Sequence, residues 1–351
     1  MLLNTTIIFK LKLINNSMAI PSIPLFFDVD MTITEEYQQE PLFRKYADKI
    51  QNYCTKNQIS HFWDMCAKKR EQGSQYGVDY LNLMIEQARS GGCFEGLSNR
   101  ELLELGTLVK PAQGLSQGLK ALKNEFKDRA KLDIYLVSVG ILPLIQGFIH
   151  AQGLEDVITG IAASEFGETT GVISEPKRIV FPFGKNEPII QFMKGKPELL
   201  NTPMYKEEYK YDYRNMIVIG DGITDSSMMA YAKKKGGSSI VLYTENDTNG
   251  FKKALEIGNI WVDYVLPRNY TPNETTYNLF KEAIERKLTE TCSFRPSTLH
   301  DLRKGNLKHP DEKIPAINHI KSCPDCQNYF IQKRVMPNKN IEKINDLRMI
   351  I

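Results

Sequence analysis

The sequence predicts an α/β fold: a Rossmann-like, doubly wound parallel sheet with an inserted α-helical segment and a small helical module after it. Three observations lead there. Short apolar runs that read as buried strands alternate with helical patterns, as a parallel sheet with right-handed crossovers requires. Three of those runs stop at a polar cluster, on the side of such sheets where ligands bind. Between the first two runs lies a long block with apolar residues at mixed three and four spacing and no strand pattern.

The first strand is the run Leu25-Phe26-Phe27, ending at Asp28-Val29-Asp30-Met31-Thr32. Helices are expected over Pro41 to Tyr53, His61 to Arg70, Val78 to Ala88 and Arg100 to Leu108, with Gly91-Gly92 as a break and Ser98 or Asn99 as an N-cap. Leu115 to Phe126 reads as a further helix. Leu132 to Val137 is the second strand, ending at Ser138-Val139-Gly140, and Ile141 to Ala151 the helix after it. Asn215 to Ile219 is the third strand, ending at Gly220-Asp221-Gly222-Ile223-Thr224-Asp225. Ser239 to Tyr243 and Trp261 to Val265 supply two more, and Tyr277 to Leu288 a closing helix.

The 351 residues hold one large domain with an insertion, or two domains and a tail. A formal charge of +3 and the lack of a basic, aromatic-interleaved patch argue against nucleic acid as a partner. The apolar patch Thr6 to Phe9 is interrupted by Lys10 and Lys12, far short of the roughly 20 apolar residues of a membrane span. Residues 1–19 are expected to be disordered or to include a mis-assigned start, since Met18 stands just before the first strand. Six scattered cysteines make no disulfide framework, so a reducing compartment, by default the cytoplasm, is expected.

Asp28 and Asp30 point to the same side of an extended chain and repel each other, which calls for a cation or a reaction. Asp28 suits a carboxylate nucleophile, and Asp30 a group that protonates a leaving oxygen and deprotonates water. The Ser138 hydroxyl and nearby backbone N–H groups, with Thr32, Val139, Gly140 and Gly222, suit phosphoryl oxygens. Asp28 and Asp221 facing each other make a hard-oxygen site for Mg²⁺. A lysine is needed to offset the remaining charge. Lys185, at an expected helix start, is the first choice and Lys177 the competitor.

These motifs resemble those of the haloacid dehalogenase-like hydrolase superfamily, in order: Asp28-Val29-Asp30-Met31-Thr32, Ser138-Val139-Gly140, Lys185, and Gly220 to Asp225. The helical insert, with Phe62-Trp63, Tyr80-Leu81-Asn82 and Phe94 to Ser98, resembles the phosphoserine-phosphatase-like branch. The resemblance implies a catalytic core over 20–36 and 127–290 and a helical cap over 37–126. It implies an aspartyl-phosphate route and Mg²⁺ held by Asp28, the Asp30 carbonyl and Asp221, with Asp225 as a supporting acid. Asp30 favours a phosphatase over a dehalogenase, and a small phosphorylated metabolite as substrate. A phosphotransferase, or a regulatory protein whose tail binds a partner, are the competing readings. The lysine- and tyrosine-rich stretch Met204 to Tyr213 departs from a compact member. Arg70, Gln75 and Tyr76 read as helix surface.

After the closing helix the character changes. Cys323 and Cys326 follow His319, whose four-residue spacing to Cys323 shares a helical face. Three N/S ligands at this spacing form a tetrahedral Zn²⁺ site lacking one member. Cys292, His300 and His309 are the candidates for the fourth. Cys292 is favoured because residues 292–330 resemble a zinc-binding anti-sigma-factor finger. The expected module spans 291–332, with a tail over 333–351.

Overall fold

A computed structural model describes residues 20–75, 77–204 and 208–290. The expected Zn²⁺ ligands Cys292, His319, Cys323 and Cys326 and the expected disordered start lie outside the described residues. The chain divides into two compact units, Met1–Ile284 and Glu285–Ile351. The sheet and the cleft belong to the first.

Seven strands form one sheet in the order β4-β3-β2-β1-β5-β6-β7. They are β1 (Ser22–Phe27), β2 (Lys131–Ile141), β3 (Ile158–Thr169), β4 (Val172–Arg178), β5 (Ile217–Gly220), β6 (Ser238–Tyr243) and β7 (Tyr264–Pro267). All neighbours run parallel except β3 and β4. β1 is central, with Phe27 in register with Leu136 of β2 and Ile219 of β5. The three polar clusters therefore meet at one edge of the sheet because their strands are adjacent. Continuous apolar runs suit strands covered on both faces, and Ile23, Leu25, Phe26 and Phe27 are all buried.

Helices α1 (Glu40–Lys45), α2 (Ala47–Asn57), α3 (Asp64–Glu71), α4 (Val78–Ala88) and α5 (Asn99–Gly106) fill the insert. They bury an apolar cluster around Leu42, Phe62, Leu81 and Phe94, which Phe166 and Ile173 of the β3–β4 hairpin join. The Ser98 side chain caps α5 by accepting from the Glu101 N–H at 3.1 Å. Cys54, Cys66 and Cys93 are buried, unpaired thiols in this region. Burial pushes the Cys66 and Cys93 thiols up to about 12, so they pack as small apolar groups. The chain returns to the sheet through α6 (Leu115–Phe126), and α7 (Leu142–Ala151) follows β2.

Several expectations need correction. The helix expected over Pro41 to Tyr53 breaks at Tyr46, whose φ of −107° and ψ of 24° are not helical. β2 does not stop at Val137 but runs through Ser138–Gly140. Trp261 ends the helix Thr248–Trp261, so β7 starts later than expected. The β3–β4 hairpin was not anticipated at all. Its turn, Thr170-Gly171, has positive φ at both residues (53° and 81°), the geometry of a tight two-residue hairpin loop. The stretch that departs from a compact member is partly structural: Tyr211 is buried and donates to Asp133 Oδ2 at 2.7 Å. It adds a hydrogen bond to a carboxylate buried in β2, whose other oxygen pairs with Lys131 Nζ at 3.3 Å.

Candidate active site

Asp28 leaves β1 at its carboxyl end, its N–H donating to the Ile219 carbonyl at 2.9 Å. It is 5% exposed. Lys185, just ahead of α8 (Asn186–Lys194), is also fully enclosed. Its Nζ donates to Asp28 Oδ1 at 2.5 Å and to Asp225 Oδ1 at 2.6 Å. Lys177, the competing lysine, lies on β4 with a largely exposed side chain near Glu165, 3.6 Å away. It takes no part in the cluster.

Asp225 organises the turn after β5. Its Oδ2 accepts the N–H groups of Asp221 at 3.0 Å and Gly222 at 3.2 Å. Gly220 is required here, since a Cβ would stand 2.4 Å from Asp225 Oδ2. Gly222, expected to serve phosphate, thus gives its N–H to Asp225. Thr32, assigned the same role, is completely buried and does not line the cleft. Its carbonyl accepts the Tyr270 hydroxyl at 3.0 Å.

Ser138, Val139 and Gly140 form the opposite wall. Ser138 Oγ accepts the Gly140 N–H at 2.9 Å and donates to none of the described residues, which leaves its proton for a ligand. The Val139 carbonyl accepts both the Tyr80 hydroxyl of the insert and Ser164 Oγ, at 2.9 and 2.8 Å.

Asp30 shows what sequence reasoning missed. Gln38 donates its backbone N–H to Asp30 Oδ1 at 2.7 Å and its Nε2 to Oδ2 at 3.0 Å. Gln38 Oε1 in turn accepts the Ile141 N–H at 2.8 Å. This buried amide links the first polar cluster to the second. It also explains Gly140, where a Cβ would fall 1.4 Å from Gln38 Nε2. Arg268, one residue past β7, also lines the cleft. A cation at the carboxyl end of a strand is the same signal that marks Asp28, and it could have been read that way.

The electrostatics follow from crowding. Burial, then the Asp225 charge, raises Asp28 to about 7 against the pull of Lys185. Burial, then Asp225 and Asp28, holds Asp221 well above the usual carboxylate range. Burial also raises Asp30, with the Gln38 hydrogen bonds opposing it. For Lys185 burial works downward, but Asp225 and Asp28 more than offset it and the ammonium is held above its ordinary value.

Asp28, Asp221 and Asp225 bring carboxylate oxygens within 4.8 Å of one another. Both oxygens of Asp225 are engaged, whereas Asp28 Oδ2 and the Asp221 carboxylate accept no hydrogen bond from the described residues. Converging, unengaged hard oxygens with surplus negative charge fit a divalent cation such as Mg²⁺. The group opens into a cleft of about 1170 Å³ whose far side is the insert, with Trp63, Arg70 and Tyr80. Arg70, expected to be helix surface, pairs with the buried Asp79 and borders this cleft.

No protein-family model matches the chain. An uncharacterized protein of Borreliella burgdorferi is 24% identical over 294 residues, covering 75% of this chain and 96% of its own. Among solved structures the chain is similar to a phospho-aspartyl intermediate analogue of phosphoserine phosphatase. That match has 14% identity and a TM-score of 0.46, over 75% of this chain and 99% of the other. It is also similar to cytosolic 5'-nucleotidase IIIB bound to cytidine, with 14% identity and a TM-score of 0.45 over 75% and 86% of the two chains. At such identities and TM-scores the chemistry has to be read from the residues: a buried carboxylate beside a lysine, a second acid held two residues on, and oxygens left over for a cation.

Proposed function

We propose that the chain is a haloacid dehalogenase-like phosphomonoester hydrolase that uses Mg²⁺ and an aspartyl-phosphate intermediate on a small phosphorylated metabolite. One observation carries the reading: Lys185 bridges the buried Asp28 and Asp225, while Gln38 grips Asp30 by both oxygens. A structural ion pair needs no second acid held separately at the mouth of the same cleft.

Bound Mg²⁺ supplies charge neutralisation for the phosphoryl oxygens, with Asp28 and Asp221 as side-chain ligands and Asp225 in support. The protein's own groups do the rest. Lys185 favours the ionised form of Asp28, which attacks phosphorus. As the Asp28–phosphorus bond forms, the ester bond breaks and Asp30 gives its proton to the leaving oxygen. Burial keeps Asp30 protonated to higher pH than an ordinary carboxyl, which suits that first step. Asp30, now ionised, takes a proton from water as the water oxygen attacks phosphorus. The bond to Asp28 then breaks and phosphate leaves. The free Ser138 proton hydrogen-bonds a phosphoryl oxygen throughout.

The test is a screen of small phosphate esters with the full chain, with and without Mg²⁺. Metal-dependent phosphate release is expected from at least one ester. Release from none of them, with the fold intact, rejects the reading.

A further inference from the structure

Arg268 is a second enclosed cation in the cleft, and its charge is not balanced. It is 8% exposed. Its Nη1 donates to the Met31 carbonyl at 2.7 Å, the one side-chain hydrogen bond it makes among the described residues. No described carboxylate forms an ion pair with it, and the acids whose charge reaches it are Asp221 and Glu35. Lys185, more deeply enclosed still, is gripped by two carboxylates. A guanidinium carries five N–H donors in a planar fork matched to carboxylate and phosphate. Four of the five have no acceptor among the described residues, and the residue borders the cleft. Taking a cation out of water without a partner is unfavourable unless something else completes it. Burial accordingly pulls the guanidinium below its ordinary pKa.

We infer that Arg268 binds a second anionic group of the substrate, a carboxylate or further phosphate carried by the same phosphomonoester. This rests on the phosphoryl-transfer reading above. The transferred phosphoryl group already has Lys185 and Ser138 beside Asp28. Arg268 instead holds the carbonyl of Met31, beyond Asp30, and feels Asp221. Met31 has a φ of 57°, unusual for a residue with a side chain, and its carbonyl is the one Arg268 holds. The fork is therefore fixed at one corner and open toward the cleft at the others.

Three non-hydrolysable probes share one phosphonate and differ in the second group: methylphosphonate, phosphonoacetate and methylenebisphosphonate. Their binding to the full chain is measured by calorimetry in excess Mg²⁺. At least one of the two probes that carry a second anionic group should bind about tenfold or more tightly than methylphosphonate, as charge-assisted bidentate contacts allow. Which one it is separates a carboxylate partner from a phosphate. Arg268→Gln should collapse that ratio to within about twofold, and Arg268→Lys, which keeps the charge without the fork, should leave it in between. Equal binding of all three by the wild-type chain overturns the inference alone, whether or not the variants fold. An unchanged ratio in Arg268→Gln does the same. A wild-type chain that binds none of the three overturns the phosphoryl-site reading, and the inference with it.

Discussion

The two walls of the cleft are built on different principles. On the sheet side each acidic or basic group of the cluster has a defined task. Lys185 spans two carboxylates, Asp225 holds a turn by two N–H groups, and Gln38 fixes Asp30. On the insert side the lining is Trp63, Arg70 and Tyr80, backed by an aromatic cluster in which Phe43, Phe62, Trp63 and Phe94 touch. Across the cleft the Tyr80 hydroxyl donates to the Val139 carbonyl of the opposite wall. Chemistry demands fixed geometry, so the reacting groups of the sheet wall are held by hydrogen bonds and ion pairs, with a few oxygens and donors left open for the ligand. Recognition tolerates variation, and its wall is apolar packing with few polar anchors.

If this division is right, changes on the sheet wall should be far costlier to turnover than changes on the insert wall. Asp28→Asn should cost the most, about a thousandfold or more in phosphate release, as loss of a group acting in concert with others does. The same residue carries a pH dependence of stability. Its folded value of about 7 exceeds the ordinary 3.8, so the native state holds a proton that the unfolded chain has released between those values. Metal-free protein should therefore lose stability as pH rises from about 4 to about 7, and the loss should flatten in Asp28→Asn. Chemical denaturation across that range measures it.

Asp30→Asn comes next, with a loss of about a hundredfold to ten-thousandfold in kcat on an ester with a poor leaving group. The loss should shrink on an activated aryl phosphate, which needs no proton; equal losses on both would mean Asp30 is not the acid. Gln38→Leu is a positioning change. It should lower kcat by about tenfold through the misplaced acid, and move the alkaline limb of the pH profile upward. The sign follows because the lost hydrogen bond favours ionised Asp30, so its removal raises an already raised carboxyl. The smallest effect belongs to the insert wall: Tyr80→Phe should change kcat/KM by a few-fold at most, about the worth of one hydrogen bond. A loss as large as that of Asp30→Asn would erase the distinction between the walls.

The same contrast explains what could be read in advance. β1, β2 and β5 are covered on both faces, so their sequences are largely apolar runs, and the polar residues that end them are conspicuous. The β3–β4 hairpin alternates buried residues such as Phe166 and Ile173 with exposed Glu168 and Glu175 and contains Gly167, so no run stands out. Asp28, Asp30, Ser138, Lys185, Asp221 and Asp225 were nameable from residue type and strand position. Gln38 was not. Its role comes from a turn that folds residues 31–38 back over Asp30, and an amide shows no preference in sequence for such a place. Lys185 is preferred over Lys177 in sequence only by its place at an expected helix start; the fold adds that Lys185 is enclosed and Lys177 largely exposed.

Phe166 and Ile173 of the hairpin belong to the apolar cluster of the insert, and the Ile173 N–H donates to the Leu97 carbonyl at 3.0 Å. β3 is meanwhile bonded to β2. The insert is thus tethered through the hairpin as well as by its two chain crossings and the Tyr80–Val139 hydrogen bond. A roof pinned in this way would have to break the Ile173–Leu97 bond and uncover Phe166 and Ile173 to swing wide. Traffic of substrate and phosphate is therefore expected to rely more on side-chain and loop motion at the open rim of the cleft than on movement of the roof.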